Sequence, residues 1–216
     1  MNGREGMLKK ELPYFHIGQA YGGCQEWFST WMMREGGCGA VTACDCCIYL
    51  ARYRGMTELY PYDAASVVKS DYIRFAEQDM QPYLYPRPTG IDKLETYMDG
   101  FAGYLRERGN TRLQMQGWPG EKSLEDTKQI ICQQIDHGMP IPCLTLRHKD
   151  PSMEPYVWHW YLLTGYQSYD EHFLVKVVTY GEWRWMDLSL IWDTGYPRKG
   201  GLILFHDGDG AGRESD

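Results

Sequence analysis

The sequence predicts an α+β fold in which helices come first and an antiparallel sheet comes last. Three observations carry that expectation. Over residues 40–53 only Thr42, Asp45 and Arg52 are clearly polar, which describes a helix buried around most of its circumference. Ile91, Leu94, Met98, Phe101 and Leu105 recur at three- and four-residue spacing, the pattern of an amphipathic helix. Beyond Gly138 the period changes, and five segments rich in Val, Ile, Leu and aromatics follow one another. Helices and strands segregated in this way build an α+β domain rather than alternating βαβ units.

Along the chain, residues 21–35 are aromatic and irregular. The buried helix begins at Cys38 and runs to about Arg54, where Gly55 ends it as a C-cap. Ser70 or Asp71 caps a second helix through Met80, stopped by Pro82 and the Pro86-Arg87-Pro88 loop. Thr89 or Gly90 leads into a third over residues 91–105, with Gly109 at its end. Ser123 with Asp126 resembles a capping box for the fourth, which carries Leu124, Ile130, Ile131 and Ile135 and closes at Gly138. The strands are expected at 140–147, 157–166, 173–180, 182–187 and 201–205. A single domain over 1–206 and a flexible Gly- and charge-rich tail over 207–216 account for the 216 residues.

Hydrophobic residues make up 43% of the chain and aromatics 14%, ample material for a core without covalent staples. The net charge is −7 and the basic residues are scattered, which argues against a nucleic-acid partner. No stretch approaches the roughly 18 apolar residues of a membrane span, and residues 1–12 lack the apolar core of a secretory signal. No membrane partner is expected, and the localisation expected is cytoplasmic. The seven cysteines then read as reduced thiols. Cys44, Cys46 and Cys47 crowd one helix, but only Cys44 and Cys47 share a face and no histidine nearby completes a tetrahedral set. Packing explains them, and no metal or cofactor is expected. The chain carries no signature of a particular oligomeric state.

Cys38 stands in Gly36-Gly37-Cys38-Gly39-Ala40 at the start of the buried helix. The unpaired N–H groups and partial positive charge of a first helical turn favour a thiolate, and the glycines leave room for a substrate. His159, in Val157-Trp158-His159-Trp160-Tyr161, begins a strand of large apolar residues. A sheet delivers its imidazole to a helix-borne cysteine in space, not in sequence. A hairpin of 157–166 with 173–180 sets residues 179–182 opposite His159. Thr179 as a hydroxyl or Glu182 as a carboxylate would then orient the imidazole, and a one-residue change of register exchanges them. The blander reading makes Cys38 a small core residue and His159 a core histidine among tryptophans. Coincidence of glycines, helix start and histidine favours a reactive pair. Trp183, Trp185 and Trp192 read as packing.

These pieces resemble the papain-like cysteine peptidases: Gly-Cys-Gly opening a buried helix, intervening helices, and a late histidine strand ending in Thr164-Gly165-Tyr166, followed by Phe173-Leu174-Val175-Lys176. Cys38-Gly39-Ala40 and His159-Trp160 are most similar to the bacteriocin-processing, double-glycine peptidase branch. Residues 22–205, with Gln25-Glu26-Trp27-Phe28 ahead of the cysteine, look like an uncharacterised family of bacterial proteins, mostly from anaerobic Firmicutes. The resemblance implies a papain-like fold with a cleft between the Cys38 helix and the sheet. It implies a thiol hydrolase, a peptidase or amidase acting on a peptide or small amide, in which His159 holds the Cys38 thiolate as an ion pair and water releases the acyl group. Two positions depart from the pattern. Met32 stands where a glutamine that binds the oxyanion is usual, leaving Gln25 as the nearest candidate, and no Asn or Asp follows His159. The alternative is an inactive papain-like binding or regulatory protein.

Overall fold

The apolar run around Cys38 forms the helix its composition demands, and the other elements gather round it. In the computed structural model, which describes residues 8–87 and 90–208, the order is β1 (Leu8–Glu11), β2 (His16–Ile17), β3 (Ala20–Tyr21), α1 (Trp31–Gly36), α2 (Cys38–Arg54), α3 (Lys69–Arg74), α4 (Leu94–Glu107), β4 (Leu113–Pro119), α5 (Leu124–Asp136), β5 (Ile141–Thr145), β6 (His159–Tyr169), β7 (His172–Thr179), β8 (Glu182–Asp187), α6 (Leu188–Trp192) and β9 (Gly201–Asp207). Side chains from Cys38 to Ala51 are buried, and Gly55 ends α2 at φ 70°, its N–H reaching back to Leu50 O. Only a residue tolerant of the left-handed region closes a helix this way.

The main sheet has seven strands in the order β4-β9-β5-β6-β7-β8, with β1 laid against β6, and every pairing is antiparallel. Helices pack on this sheet, α2 against β6, so the architecture is α+β. Among the described residues no helix is long and apolar enough to cross a membrane.

Several boundaries differ from expectation for local reasons. Residues 31–36 are helical, because Thr30 caps α1 by accepting from Met33 N at 3.3 Å. The helix expected from Ser70 begins at Lys69 after Val68 and passes into a π-helix at Phe75–Met80. The third helix starts at Leu94, with Ile91 in the lead-in. Ser123 caps α5 as anticipated, accepting from Asp126 N. β4, whose Leu113, Met115 and Gly117 alternate with glutamines, interrupts the helical half and pairs with β9. Of the tail expected over 207–216, Asp207 belongs to β9 and pairs with Arg112 at 2.9 Å, and 209–216 lie outside the described residues.

Two contacts join the helix to its surroundings. Trp160, 1% exposed, donates its indole N–H to Ile91 O at 2.6 Å and stacks on Tyr97 at 4.3 Å. Its ring passes over Gly39, where an added Cβ would lie 3.7 Å from the indole and 3.1 Å from Ile91. Asp45, the lone acid of α2, accepts from Gly23 N, Tyr14 Oη and Tyr72 Oη at 3.1, 2.9 and 2.8 Å. A buried carboxylate needs such donors, and it ties the 22–25 segment to the helix.

Gly23 is the tightest point of that tie, since an added Cβ would stand 1.8 Å from Tyr72 Oη, whereas one at Gly55 meets nothing. Gly23→Ala is expected to lose about 3 kcal/mol in chemical denaturation, the upper end for overpacking. Gly55→Ala is expected to lose about 1 kcal/mol, the cost of the backbone conformation alone. Equal losses would contradict this account of the segment.

Candidate active site

Cys38 is the first residue of α2, 5% exposed, and it lines a groove of about 520 Å³ together with Trp31, Met32, Glu35, Arg87 and Trp158. Backbone N–H groups of Trp160, Gly39 and Cys38 itself favour the thiolate, yet burial outweighs them and pushes the thiol above its ordinary pKa. The reason lies in magnitudes. A helix terminus contributes roughly 0.3–1 kcal/mol, whereas full burial shifts a group by up to several pKa units.

His159 begins β6, opposite Thr145 of β5, and is 5% exposed. Leu162 faces Val178, so continuing the antiparallel register sets Thr179 against Tyr161, on the face His159 shares. The contact follows: Nε2 lies 2.7 Å from Thr179 Oγ1. Tyr180 stacks on the imidazole at 4.6 Å and 4°, and its hydroxyl is 3.4 Å from Nδ1. Tyr180 and Gly181 have φ of 54° and 73°, the two positive values of a type I′ turn, which delivers Thr179 and Tyr180 together. Burial holds the imidazole neutral, its pKa lowered to about 4.

Of the two groups that the sequence leaves open as partner of His159, Thr179 makes the contact. Glu182 faces Thr179 across the next hairpin, but its carboxylate is largely exposed and lies 4.0 Å from Arg184. Among the described residues it makes no hydrogen bond to His159. Gln25 is buried in a short 3₁₀ turn and donates Nε2–H to Arg34 O at 2.7 Å, the local tie that competes with an oxyanion role. It is nonetheless near the site by construction. Tyr21 N–H donates to Gly181 O, and Gly181 N–H donates to Gly23 O, so the 21–25 segment is sewn to the turn carrying Tyr180.

The thiolate–imidazolium pair expected from the helix start is replaced by a neutral thiol and a neutral imidazole, because both groups are buried. Among the described residues no hydrogen bond joins them, and the contact made by Nδ1 is with the Tyr180 hydroxyl. All seven cysteines are unpaired, and no group of three or more His, Cys, Asp or Glu among the described residues is placed to hold a metal ion. Tyr180 falls within the residues 179–182 set opposite His159 from sequence, without a role; the Trp160 N–H and Asp45 escape sequence reasoning. Only Asp45, as a lone acid in an apolar helix, leaves a signal. No family model matches the chain, and no curated protein matches it.

The two buried titrating groups act on stability with opposite sign. Unfolded His159 takes up a proton near pH 6.5 and the folded imidazole only near pH 4, so its contribution is present above 6.5 and is lost as pH falls to about 4. The size is about 3 kcal/mol. Burial raises Asp45 from 3.8 to about 6, so its contribution is lost as pH rises through that window. His159→Gln is therefore expected to narrow the stability gap to wild type by about 3 kcal/mol between pH 6.5 and 4. A gap independent of pH would contradict the neutral imidazole.

Proposed function

We propose that the protein is a papain-like thiol hydrolase, a peptidase or amidase, with Cys38 as nucleophile and His159 as general base. One observation supports this reading: Cys38, at the helix start, and Trp158, the residue before the histidine, line one open groove, and the backbone N–H of Trp160, the residue after the histidine, is close enough to Cys38 to favour its thiolate. In this mechanism the imidazole takes the tautomer that carries its proton on Nε2, 2.7 Å from Thr179 Oγ1, so Nδ1 keeps the lone pair. As Sγ attacks the acyl carbon of an amide, Nδ1 takes the thiol proton, so charge appears only in the transition state. The oxyanion falls to the backbone N–H at Cys38 and to the second amide hydrogen of Gln25. The imidazolium then protonates the leaving amine, and water hydrolyses the thioester.

A second reading, an inactive binding or regulatory module of the same fold, is favoured by the raised thiol and by the Gln25 amide bound to Arg34 O. Turnover separates the two. On a panel of aminoacyl coumarinylamides, Cys38→Ser and His159→Ala are each expected to lose at least about 100-fold in kcat/KM, and Thr179→Val about tenfold. Wild-type activity is expected to fall in one step near pH 4 as His159 protonates. Activity that survives Cys38→Ser, or no reaction of Cys38 with any member of the panel or with a peptide vinyl sulfone, overturns the hydrolase in favour of the module.

A further inference from the structure

Among the described residues only Trp158, Asp170 and Tyr180 combine a side chain with a left-handed backbone, at φ of 55°, 50° and 54°. Asp170 sits in a hairpin turn, a usual place for it. The other two bracket His159, one preceding it in the chain and one stacked on its ring. Tyr180 owes its value to the type I′ turn, whereas for a residue as bulky as Trp158 the conformation is rare and points to a functional role as its reason. At Trp158 the strained backbone turns an indole into the groove beside Cys38, where it stays 40% exposed. Trp31, on the same groove, is 64% exposed. The two exposed indoles beside one thiol form an apolar wall of the groove.

The charges beside that wall are predominantly basic. Arg87 lines the groove, and the Arg147 and Arg198 guanidinium groups lie 5.8 and 5.9 Å from the centre of the Trp158 ring. Arg198 is paired with Asp92 at 2.7 Å, whereas Arg87 and Arg147 form no ion pair among the described residues. Glu35 adds one carboxylate to the lining. On a chain of net charge −7 this is a local basic spot, suited to a carboxylate.

We infer that the groove binds a peptide segment with a large apolar side chain between Trp31 and Trp158 and an acidic residue beside it, within reach of Arg87 and Arg147. The assignment of this segment as substrate rests on the hydrolase reading; the binding itself does not. The indoles bury the apolar side chain, and the arginines select its neighbour.

The test is calorimetric titration of the full-length Cys38→Ala protein with acetyl-Ala-Asp-Phe-Ala-Ala-amide and its Phe→Gly and Asp→Lys forms. The parent peptide is expected to bind at least about tenfold more tightly than the Gly form. It is expected to bind about fivefold more tightly than the Lys form at low salt, a margin that shrinks as salt rises. Adding Trp31→Ala or Trp158→Gly should erase the Phe preference, and Arg87→Ala the Asp preference alone. Glycine adopts the Trp158 backbone without strain, and a circular dichroism melt checks that each variant is folded. Equal affinities for the three peptides, or preferences intact in both tryptophan variants, overturn the inference. Incubating wild type with the same peptides separates it from the hydrolase reading. Discrimination without cleavage removes the hydrolase and keeps the binding groove, and cleavage without discrimination does the reverse.

Discussion

Everything at this site depends on how Trp160 seats the start of β6 on the start of α2. Its indole is fixed by one hydrogen bond to Ile91 O and one stacking contact on Tyr97, and it crosses the helix where Gly39 has no side chain. Its own backbone N–H is close enough to Cys38 to favour the thiolate, and His159 is the preceding residue on the same strand. A Cβ at 39 would meet the tip of Ile91 at 3.1 Å and the indole at the ordinary contact distance of 3.7 Å, so the sheet lies against the helix here with little space to spare.

Burial that gives this precision also decides the protonation states. A thiol at a helix start is ordinarily expected to ionise, but here desolvation exceeds what a helix terminus and three backbone N–H groups return. The histidine is neutral for the same reason. In the proposed hydrolase, chemistry between them has to create charge during the reaction rather than begin from it. The groups beside the imidazole, Thr179 at Nε2 and Tyr180 over the ring, are the ones that would respond to that charge.

The helical half was legible because its cues are local: the apolar run of α2, the 3.6-residue period of α4 and the Ser123 cap of α5. The strands from β5 onward announced themselves through β-branched and aromatic content. β4 was hidden because its polar alternate positions and its place between helices resemble a loop, and its pairing with β9 is a long-range event. At the site, Cys38 and His159 were visible as residue types, and Tyr180 only as one of the residues set opposite His159; that its ring covers the imidazole follows from a type I′ turn no local pattern announces. A helix start is likewise readable in sequence, whereas the depth of burial that raises the thiol and keeps the imidazole neutral depends on the packing of the sheet on α2.

The most direct test of the central claim is a crystal structure of the protein soaked with a peptide aldehyde. The account predicts a covalent bond from Cys38 Sγ to the aldehyde carbon, with His159 Nδ1 turned to the hemithioacetal and Nε2 still held by Thr179. An aldehyde that stays free in the groove, or an adduct formed while the imidazole faces away from the sulfur, would contradict it.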